Sequence, residues 1–586
     1  MPDDDHHLEQ PIGVDVVVVG AGFAGMYQLI RLRESGRTVQ VIEAGSDVGG
    51  TWYWNRYPGA RCDVPSMEYS LSFDPDLEQE WEWTELMAGQ PEILSYARHV
   101  ADRHDLRPHI QFDTKVVAAH FGDDTGRWSV TTDRGQRFDA RFVVMATGCL
   151  SVANTPELPG RKRFAGRSLH TGDWPKEPVE FDGQRVGVIG TGSSGVQAIP
   201  VIGAEAGHLT VFQRTPVYTF PANNRPLKPE AMAAYKEHYQ EVRERQRHSV
   251  AGFSGFSPKK AKTGADPADE ADGSGAEGRE AATAAAVPEV SLQTSVPYGD
   301  GAATRPPAKG LLDVDPSERS AAVARYGPGV VQRYRDVYTD PAANEVACEL
   351  YREEVDRLVD EPAVAEALKP TDYPLGCKRQ VFDTGYYETF NRPNVELVDL
   401  RATPLVEITE TGVRTTAGHT ELDILVYATG FDAMTGALDR IDIRGREGRR
   451  LRNEWAGGPR TYLGLAVAGF PNLFTITGPG SPSVLSNMVV SIEQHVDWIM
   501  DCLAHLDRSG HATIEATEEA QVDWARQVAE TAEGSMYTAP GCASWYLGAN
   551  IEGKSQVFMP YLGGVGRYRR ICDEVRDADY RGFVLN

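Results

Sequence analysis

The chain has 586 residues, enough for about three or four domains of roughly 150 residues each. Hydrophobic residues make up 41% of it and charged residues 24%, as in water-soluble globular proteins. The formal net charge of −25 disfavours nucleic acid and anionic membranes as partners. No apolar run reaches the roughly 18 residues that predict a membrane span, and the acidic start MPDDDHHLEQ does not resemble a secretory signal.

The seven cysteines are scattered along the chain, and no two of them form a C-x-x-C pair. An odd number of dispersed cysteines is typical of an intracellular protein whose thiols stay reduced. We therefore expect a cytoplasmic protein with free thiols and no metal site. The sequence does not indicate an oligomeric state.

A nucleotide-binding pattern begins near the N-terminus. A nearly all-apolar strand at 15–19, a helical segment and a second strand at 38–42 form a βαβ unit. Glycines that permit a tight turn and close approach of a pyrophosphate separate the first strand from the helix: Gly20, Gly22 and Gly25. Glu43, which ends the second strand, can bind ribose hydroxyls and would repel a 2′-phosphate. This unit therefore favours FAD or NAD over NADP.

A second βαβ unit has strands at 186–189 and 209–212 and the same glycine spacing, at Gly190, Gly192 and Gly195. The position equivalent to Glu43 is Gln213, which is followed by Arg214 and Thr215. A guanidinium and a hydroxyl can bind a 2′-phosphate, although an arginine here could also be a solvated surface residue. We assign FAD to the first unit and NADP to the second.

Two apolar strands end in Ala-Thr-Gly, at 146–148 and 428–430, where we expect the chain to pass between dinucleotide domains. The sequence thus predicts an α/β fold with two Rossmann-like domains, a helical insertion and a low-complexity loop rich in Ala, Gly, Pro and charged residues. The expected parts are 1–150 (FAD domain, first part), 151–225 (linker and NADP domain, first part), 226–372 (helical insertion, with a disordered loop at 254–307), 373–432 (NADP domain, second part) and 433–586 (FAD domain, second part).

The linker before the second unit has the spacing F-x-G-x-x-x-H-x-x-x-W-P, formed by Phe164, Gly166, His170, Trp174 and Pro175. It resembles the signature of type I Baeyer–Villiger monooxygenases. Further stretches resemble the phenylacetone and steroid monooxygenase branch of that family: GAGFAGMY, GGTWYWNRYPGARCDVPS, VIGTGSSGVQ, FQRTP, GCKR, YATGFDAMTGAL, GPGSPSVLSNM and ASWYLGAN. The resemblance runs from Val14 to the C-terminus, except around 254–307.

The resemblance implies that NADPH reduces FAD, that the reduced flavin activates O2, and that one oxygen atom is inserted beside a ketone carbonyl to give an ester or lactone. Such chemistry needs a fixed cation in a water-poor site, and Arg379 is the candidate, oriented by Asp63. From the pattern alone, Lys378-Arg379 could equally be a solvated pair, and Asp63 a turn residue. For His170 we expect a hydrogen-bonded linker residue that couples domain motion, with Phe164 and Trp174 as packing anchors.

The same resemblance implies two sets of cofactor-binding residues. The FAD set is Gly20, Gly22, Phe23, Gly25, Glu43, Gly50, Thr51, Trp52, Asp63, Tyr69, Val116 and Met488. The NADP set is Gly190, Thr191, Gly192, Ser193, Ser194, Gly195, Gln197, Arg214, Thr215, Lys378, Arg379 and Trp545, with Trp545 near the nicotinamide.

Three other functions compete with this interpretation. A flavin monooxygenase that hydroxylates nitrogen or sulfur shares the two-nucleotide layout, but Trp174-Pro175 and the Asp63/Arg379 pair argue against it. A non-catalytic flavin-binding scaffold is disfavoured by the intact motifs, and a disulfide reductase by the lack of C-x-x-C. The expected partners are O2 and a small ketone, such as a polycyclic pentalenolactone-type sesquiterpenoid of antibiotic biosynthesis.

Overall fold

The computed structural model describes residues 10–256, 309–334 and 336–586. Apart from residues 254–256, the low-complexity loop expected at 254–307 lies outside these ranges. Within the described ranges, no helix is both long and apolar enough to cross a membrane. The same ranges hold no group of three or more His, Cys, Asp or Glu side chains that could bind a metal ion.

The described residues form both helices and strands throughout. The strands are β1 Ile12–Val19, β2 Val39–Ile42, β3 Ile110–Gln111, β4 Val116–Gly122, β5 Arg127–Thr132, β6 Arg137–Met145, β7 Arg167–His170, β8 Arg185–Ile189, β9 His208–Gln213, β10 Thr219–Pro221, β11 Val381–Asp383, β12 Val395–Asp399, β13 Leu405–Ile408, β14 Gly412–Thr415, β15 His419–Glu421, β16 Ile424–Tyr427, β17 Asp442–Arg444, β18 Leu473–Thr475, β19 Ile514–Ala516 and β20 Phe583–Leu585. The α-helices are α1 Phe23–Glu34, α2 Thr51–Trp54, α3 Pro75–Glu80, α4 Gln90–Arg103, α5 Ser193–Glu205, α6 Pro229–Glu237, α7 Tyr239–His248, α8 Pro316–Tyr326, α9 Pro341–Leu358, α10 Pro362–Leu368, α11 Tyr386–Thr389, α12 Gly436–Asp439, α13 Leu451–Glu454, α14 Met488–Ser509, α15 Glu518–Ala532 and α16 Val565–Asp577.

The first sheet has eight strands in the order β17-β4-β5-β6-β1-β2-β3, and β18 also pairs with β6. Strand β1 pairs in parallel with β2 and β6, and its last four residues, VVVV, are all buried. A strand covered on both faces must be apolar at successive positions, which explains this run. Because β17 and β18 come from the last third of the chain, that segment completes the sheet begun by the N-terminal unit.

The second sheet has five parallel strands in the order β12-β9-β8-β16-β7. Strand β7 is the middle of the signature linker and forms one edge of the sheet. Its neighbour β16 is the apolar strand that runs into the second Ala-Thr-Gly. The α/β class with two Rossmann-like sheets is therefore confirmed.

The predicted helical insertion at 226–372 does not pack as one body. Tyr235, Tyr239 and Val242, from α6 and α7, are buried in the core that also contains β1 and α1. Residues of α9 and α10, such as Ala347 and Leu368, are buried in the core beside the second sheet. The insertion therefore contributes to both nucleotide-binding halves.

Candidate active site

The glycines after β1 are required by close backbone contacts. Gly20 has φ +105°, and a Cβ atom there would lie 2.6 Å from the carbonyl oxygen of Ala146. A Cβ atom on Gly25 would lie 1.8 Å from the carbonyl oxygen of Gly20. Any side chain would force these segments apart, so only glycine lets helix α1 start directly against the strand.

The glycines of the second unit have nearly the same backbone angle and the same close contacts. Gly190 has φ +106° and approaches the carbonyl oxygen of Ala428, while a Cβ on Gly195 would lie 2.3 Å from the oxygen of Gly190. Ala146 and Ala428 are the alanines of the two Ala-Thr-Gly segments. The sequence predicted that the chain passes between the dinucleotide domains at these segments. Their contact with the glycine turns is visible only in the structure.

Space remains at the helix start of the second unit, where a pyrophosphate would bind. A Cβ atom on Gly192 would have nothing within 4 Å, and Gly192 is the N-cap of α5. In the first unit, the Cα of Gly50 lies 3.3 Å from the Cβ position of Gly22, so the Gly49-Gly50 pair faces the glycine turn. Free N–H groups at a helix start attract anions. Both turns therefore fit a dinucleotide.

The Glu43 carboxylate is buried at the end of β2. Its two oxygens accept hydrogen bonds of 2.6 Å each from the backbone N–H groups of Ala21 and Gly45. Burial raises the pKa of Glu43, and these two hydrogen bonds oppose that rise. Each oxygen keeps a lone pair, so the carboxylate can still accept ribose hydroxyls.

Other members of the FAD set lie on several elements of the structure. Phe23 opens α1, and its ring centroid lies 6.0 Å from that of Tyr69. The indole N–H of Trp52 donates to the Tyr69 hydroxyl at 3.2 Å. Met488 opens α14, half-buried, and Val116 opens β4 with its side chain in the core beneath the sheet.

The hydroxyl and amide side chains of the NADP set make contacts within the protein. Thr191 donates to the backbone carbonyl of Thr215 at 3.0 Å, and the Ser194 hydroxyl lies 3.0 Å from that of Thr171. Ser193, next to Gly192, is exposed. The Gln197 amide accepts from Tyr57 and donates to the Arg61 carbonyl, so it joins α5 to the loop before Asp63.

Two cations lie together at the end of β9. Arg214 is exposed, and the Lys378 ammonium lies 4.1 Å from the centroid of the Tyr373 ring. Burial and the charge of Arg214 lower the pKa of Lys378 to about 8. Like charges placed this close are stabilised by an anion bound between them, which fits a 2′-phosphate.

Gln213 directly precedes the exposed Arg214 in the chain, but its own side chain lies inside the protein. Its side chain is fully buried and donates to the Ala367 carbonyl at 2.7 Å. The Gln213 amide therefore bonds within the protein, and the second unit lacks the carboxylate that the first unit carries at this position.

The pKa of Lys378 predicts how NADPH affinity depends on pH. The ammonium form, which attracts the 2′-phosphate, prevails below pH 8 and is lost as the pH rises through this value. We expect the dissociation constant of NADPH to rise by up to about tenfold per pH unit above pH 8. NADH, which lacks the phosphate, is the control. Flavin-fluorescence titrations that show parallel pH profiles for both nucleotides would contradict the assignment.

Arg379 and Asp63 are more than 300 residues apart in the chain but form a close pair. The Arg379 guanidinium donates to Oδ2 of Asp63 from Nε at 3.2 Å and from Nη2 at 2.5 Å. Its Nη1 donates to the carbonyl oxygen of Val484 at 2.6 Å. Burial is the largest single influence and would lower the pKa of Arg379, but the neighbouring Asp63 and Tyr546 together outweigh it, and the net shift is upward. The group is therefore a permanent cation.

The remaining member of the NADP set lies on a neighbouring loop. Trp545 is half-buried, and its ring centroid lies 4.3 Å from that of Tyr546. Tyr546 in turn is buried in the same hydrophobic core as Val484, whose carbonyl accepts from Arg379. The structure thus brings Lys378, Arg379, Asp63 and Trp545 into one region where the two halves of the molecule meet.

A disulfide joins the two loops of this region. Cys377 and Cys542 are bonded, with their Cα atoms 5.5 Å apart. The expectation that all thiols are reduced is therefore wrong for this pair. Their separation of 165 residues and the lack of a C-x-x-C pattern hid the pairing in the sequence.

Because of this disulfide, we expect an alkylating reagent to modify only the free cysteines. In protein purified without reductant and alkylated under denaturing conditions, we expect five modified cysteines by intact mass. All seven should be modified after reduction. Cys377→Ser should free Cys542 as an additional thiol without reductant. Seven modified cysteines in the unreduced wild-type protein would contradict the pairing.

The signature linker lies against the second sheet. Nδ1 of His170 accepts from the Gly172 N–H at 2.9 Å, so its proton is on Nε2, which faces the Asn154 carbonyl at 3.3 Å and the Thr429 hydroxyl at 3.2 Å. Burial lowers the pKa of His170. The neutral ring therefore connects Asn154 and Thr429, which follow the two apolar strands that run into Ala-Thr-Gly. This position agrees with the expectation that His170 couples domain motion.

The other signature residues are held by packing. Trp174 is buried with Phe181 beside the second sheet, and Pro175 is half-buried. Phe164 packs on the opposite core of the sheet. A Cβ on Gly166 would lie 2.4 Å from the Asp423 carbonyl, so glycine is needed there.

Comparison with known proteins identifies this architecture. Residues 17–253 match the pyridine nucleotide-disulphide oxidoreductase family model. A Baeyer–Villiger monooxygenase of Pseudooceanicola batsensis is 39% identical, with 97% of this chain and 96% of the relative covered. The structure of an oxidized steroid monooxygenase bound to NADP is 49% identical, with a TM-score of 0.84 and coverage of 98% and 99%. The chain belongs to the type I Baeyer–Villiger monooxygenase family.

This Baeyer–Villiger monooxygenase is an FAD-dependent enzyme that uses NADPH and oxidises ketones. The predicted cofactors are therefore confirmed. Another relative, phenazine N-monooxygenase PhzNO1 of Lysobacter antibioticus, is 38% identical, with 98% of this chain and 97% of the relative covered. Since that relative is named for oxidation at nitrogen, overall similarity alone does not separate the two reactions.

Proposed function

We propose that the enzyme inserts one oxygen atom beside the carbonyl of a cyclic or polycyclic, terpenoid-like ketone of secondary metabolism, using Arg379 as the charge-stabilising residue. The observation that supports this most strongly is the half-buried pair of Arg379 and Asp63 where the two nucleotide-binding halves meet. A ketone oxygen that gains negative charge needs a preorganised cation, and this pair provides one.

Each side chain of the site has a distinct task in this proposal. Asp63 orients the Arg379 guanidinium and moderates its field. FAD, held at the first glycine turn and by Glu43, supplies the activation of O2, and NADPH supplies the reducing electrons. Arg214, Thr215 and Lys378 bind the 2′-phosphate, and Trp545 packs near the nicotinamide. His170 holds the linker between the halves and transfers no proton.

The relatives support a bulky ketone as substrate. The solved structure at 49% identity is a steroid monooxygenase, which is named for a polycyclic substrate. Relatives named for cyclohexanone and acetone are 36% identical. We therefore rank a polycyclic ketone above a monocyclic or acyclic one.

Oxidation at nitrogen is the second candidate, favoured by the relative that is a phenazine N-monooxygenase. A single panel separates the candidates: a polycyclic terpenoid ketone, cyclohexanone and phenazine, each incubated with holoenzyme and NADPH. We expect a lactone from the polycyclic ketone with the highest kcat/KM. Phenazine N-oxide without any ester or lactone would refute the proposed reaction. Higher kcat/KM with cyclohexanone would refute only the substrate class.

A further inference from the structure

The side chains assigned to the 2′-phosphate come from two loops that are far apart in the chain. Arg214 and Thr215 follow β9, whereas Lys378 lies shortly before β11. Both loops can bind one phosphate only if their separation is fixed, because charge-assisted hydrogen bonds depend on distance and direction. A residue that contacts both loops would therefore control how well NADPH binds.

Tyr373 makes a direct contact with each loop. Its phenol donates to the carbonyl oxygen of Pro216, the residue after Thr215, at 2.7 Å. The centroid of its ring lies 4.1 Å from the Lys378 ammonium, which is close enough for a cation–π interaction. Tyr373 is only 7% exposed, so water competes little with either contact.

Neighbouring tyrosines fix the position of Tyr373 and of the first loop. The Tyr218 phenol donates to the backbone carbonyl of Tyr373 at 3.2 Å, and the two rings meet edge to face with centroids 5.4 Å apart. The Tyr387 phenol donates to the carbonyl of Val217 at 3.1 Å. All three tyrosines are buried in the core beside the second sheet, so the contacts of Tyr373 have a packed support.

We propose that Tyr373 is a positioning residue for NADPH, which holds the Arg214-Thr215 loop through its phenol and the Lys378 ammonium against its ring, and so sets the preference for NADPH over NADH. This proposal rests on the proposed binding of the 2′-phosphate by Arg214, Thr215 and Lys378. Tyr373 is not among the site residues that the sequence predicted.

An aromatic ring suits the Lys378 ammonium better than a carboxylate would. A carboxylate would neutralise the ammonium and repel the phosphate, whereas a ring attracts the ammonium and leaves its charge available. The adjacent carboxylate, Asp372, is exposed and pairs with Arg401 at 3.3 Å. Burial raises the pKa of Tyr373, so its phenol stays a neutral donor to Pro216.

Tyr373→Phe removes the hydrogen bond to Pro216 and keeps the ring beside Lys378. We expect KM for NADPH to rise about fivefold, because a buried carbonyl loses its donor and the loop is held less firmly. KM for NADH, and kcat with either nucleotide, should stay within about twofold. Unchanged KM for NADPH, or equal rises for both nucleotides, would overturn the proposal.

The matched control is Tyr462→Phe. The Tyr462 phenol is also buried and donates to a backbone carbonyl, that of Arg581, at 2.9 Å. It lies in the core that contains β1, so its loss should leave both KM values unchanged. A preferential rise in KM for NADPH in this control would show that the effect is not specific to Tyr373 and would overturn the proposal.

Tyr373→Leu tests the second contact, because it removes the ring as well as the hydroxyl. We expect KM for NADPH to rise about 20-fold, with KM for NADH again within about twofold. Flavin content equal to that of the wild type shows that the variant folds. A KM for NADPH no higher than in Tyr373→Phe would overturn the proposed contact with Lys378.

A double-mutant cycle tests whether Tyr373 acts through the phosphate-binding loop. In the Arg214→Ala background, Tyr373→Phe should raise KM for NADPH less than about twofold, because the loop no longer presents its guanidinium. An equal rise in both backgrounds would mean a structural effect and would overturn the proposal. Arg214→Ala that leaves the ratio of the two KM values unchanged would instead contradict the 2′-phosphate assignment itself, so the two failures are distinguishable.

Discussion

Arg379→Ala should leave an enzyme whose flavin is reduced by NADPH at close to the normal rate but which forms almost no ester. Alanine removes the only cation that the structure fixes between Asp63 and Val484 among the described residues. Loss of one preorganised donor for a developing oxyanion costs about 100- to 1,000-fold in kcat. The two rates are measured separately, by anaerobic stopped-flow absorbance of the flavin and by product analysis after admission of O2.

The control for this experiment is Arg414→Ala. Arg414 is an exposed arginine on β14, which belongs to a separate three-stranded sheet, and it pairs with Glu407. We expect both rates to be normal in this variant. Full ester formation by Arg379→Ala would remove Arg379 from the mechanism. Loss of flavin reduction together with ester formation would indicate a binding role only.

Arg214→Ala should separate NADPH from NADH. A charge-assisted hydrogen bond to the 2′-phosphate contributes about 1.5–3 kcal/mol, so KM for NADPH should rise about 10- to 100-fold. KM for NADH should change less than about twofold, because NADH has no phosphate at that position. Steady-state kinetics with both nucleotides measure this directly, and Arg414→Ala again serves as the control.

Comparing KM for NADPH with KM for NADH in Arg214→Ala also tests whether Arg214 is only a surface residue. Arg214 is exposed and close enough to Lys378 to lower the pKa of that ammonium. If Arg214 is only a surface residue, its removal should leave both KM values unchanged. Equal increases for NADPH and NADH would show that the variant disturbs the whole nucleotide site, and the 2′-phosphate assignment would fail.

The features that local sequence patterns encode were predicted well. Glycine spacing after an apolar strand depends on contacts within a few residues, and both βαβ units and both cofactors followed from it. The contrast between Glu43 and Gln213-Arg214-Thr215 predicts which unit binds FAD and which binds NADP, and that assignment stays a prediction. The roles of the individual site residues remain predictions, although the structure brings Arg379, Asp63, Lys378 and Trp545 together.

The features that depend on tertiary contacts were not predictable from local pattern. The disulfide joins residues that meet only after the loops at 377 and 542 have folded onto each other. The inward turn of Gln213 depends on the carbonyl of Ala367 in a helix far along the chain. Each of these outcomes was decided by which segments pack together.

Insertion of oxygen into a carbon–carbon bond is the central claim, and one isotopic measurement tests it most directly. Purified holoenzyme is reduced with NADPH without oxygen, then mixed with isotopically heavy O2 and a polycyclic ketone, and the product is analysed by mass spectrometry. We expect a lactone that carries one heavy oxygen atom in the ring. Rapid flavin oxidation that yields only hydrogen peroxide and unchanged ketone, across the full ketone panel, would contradict the claim.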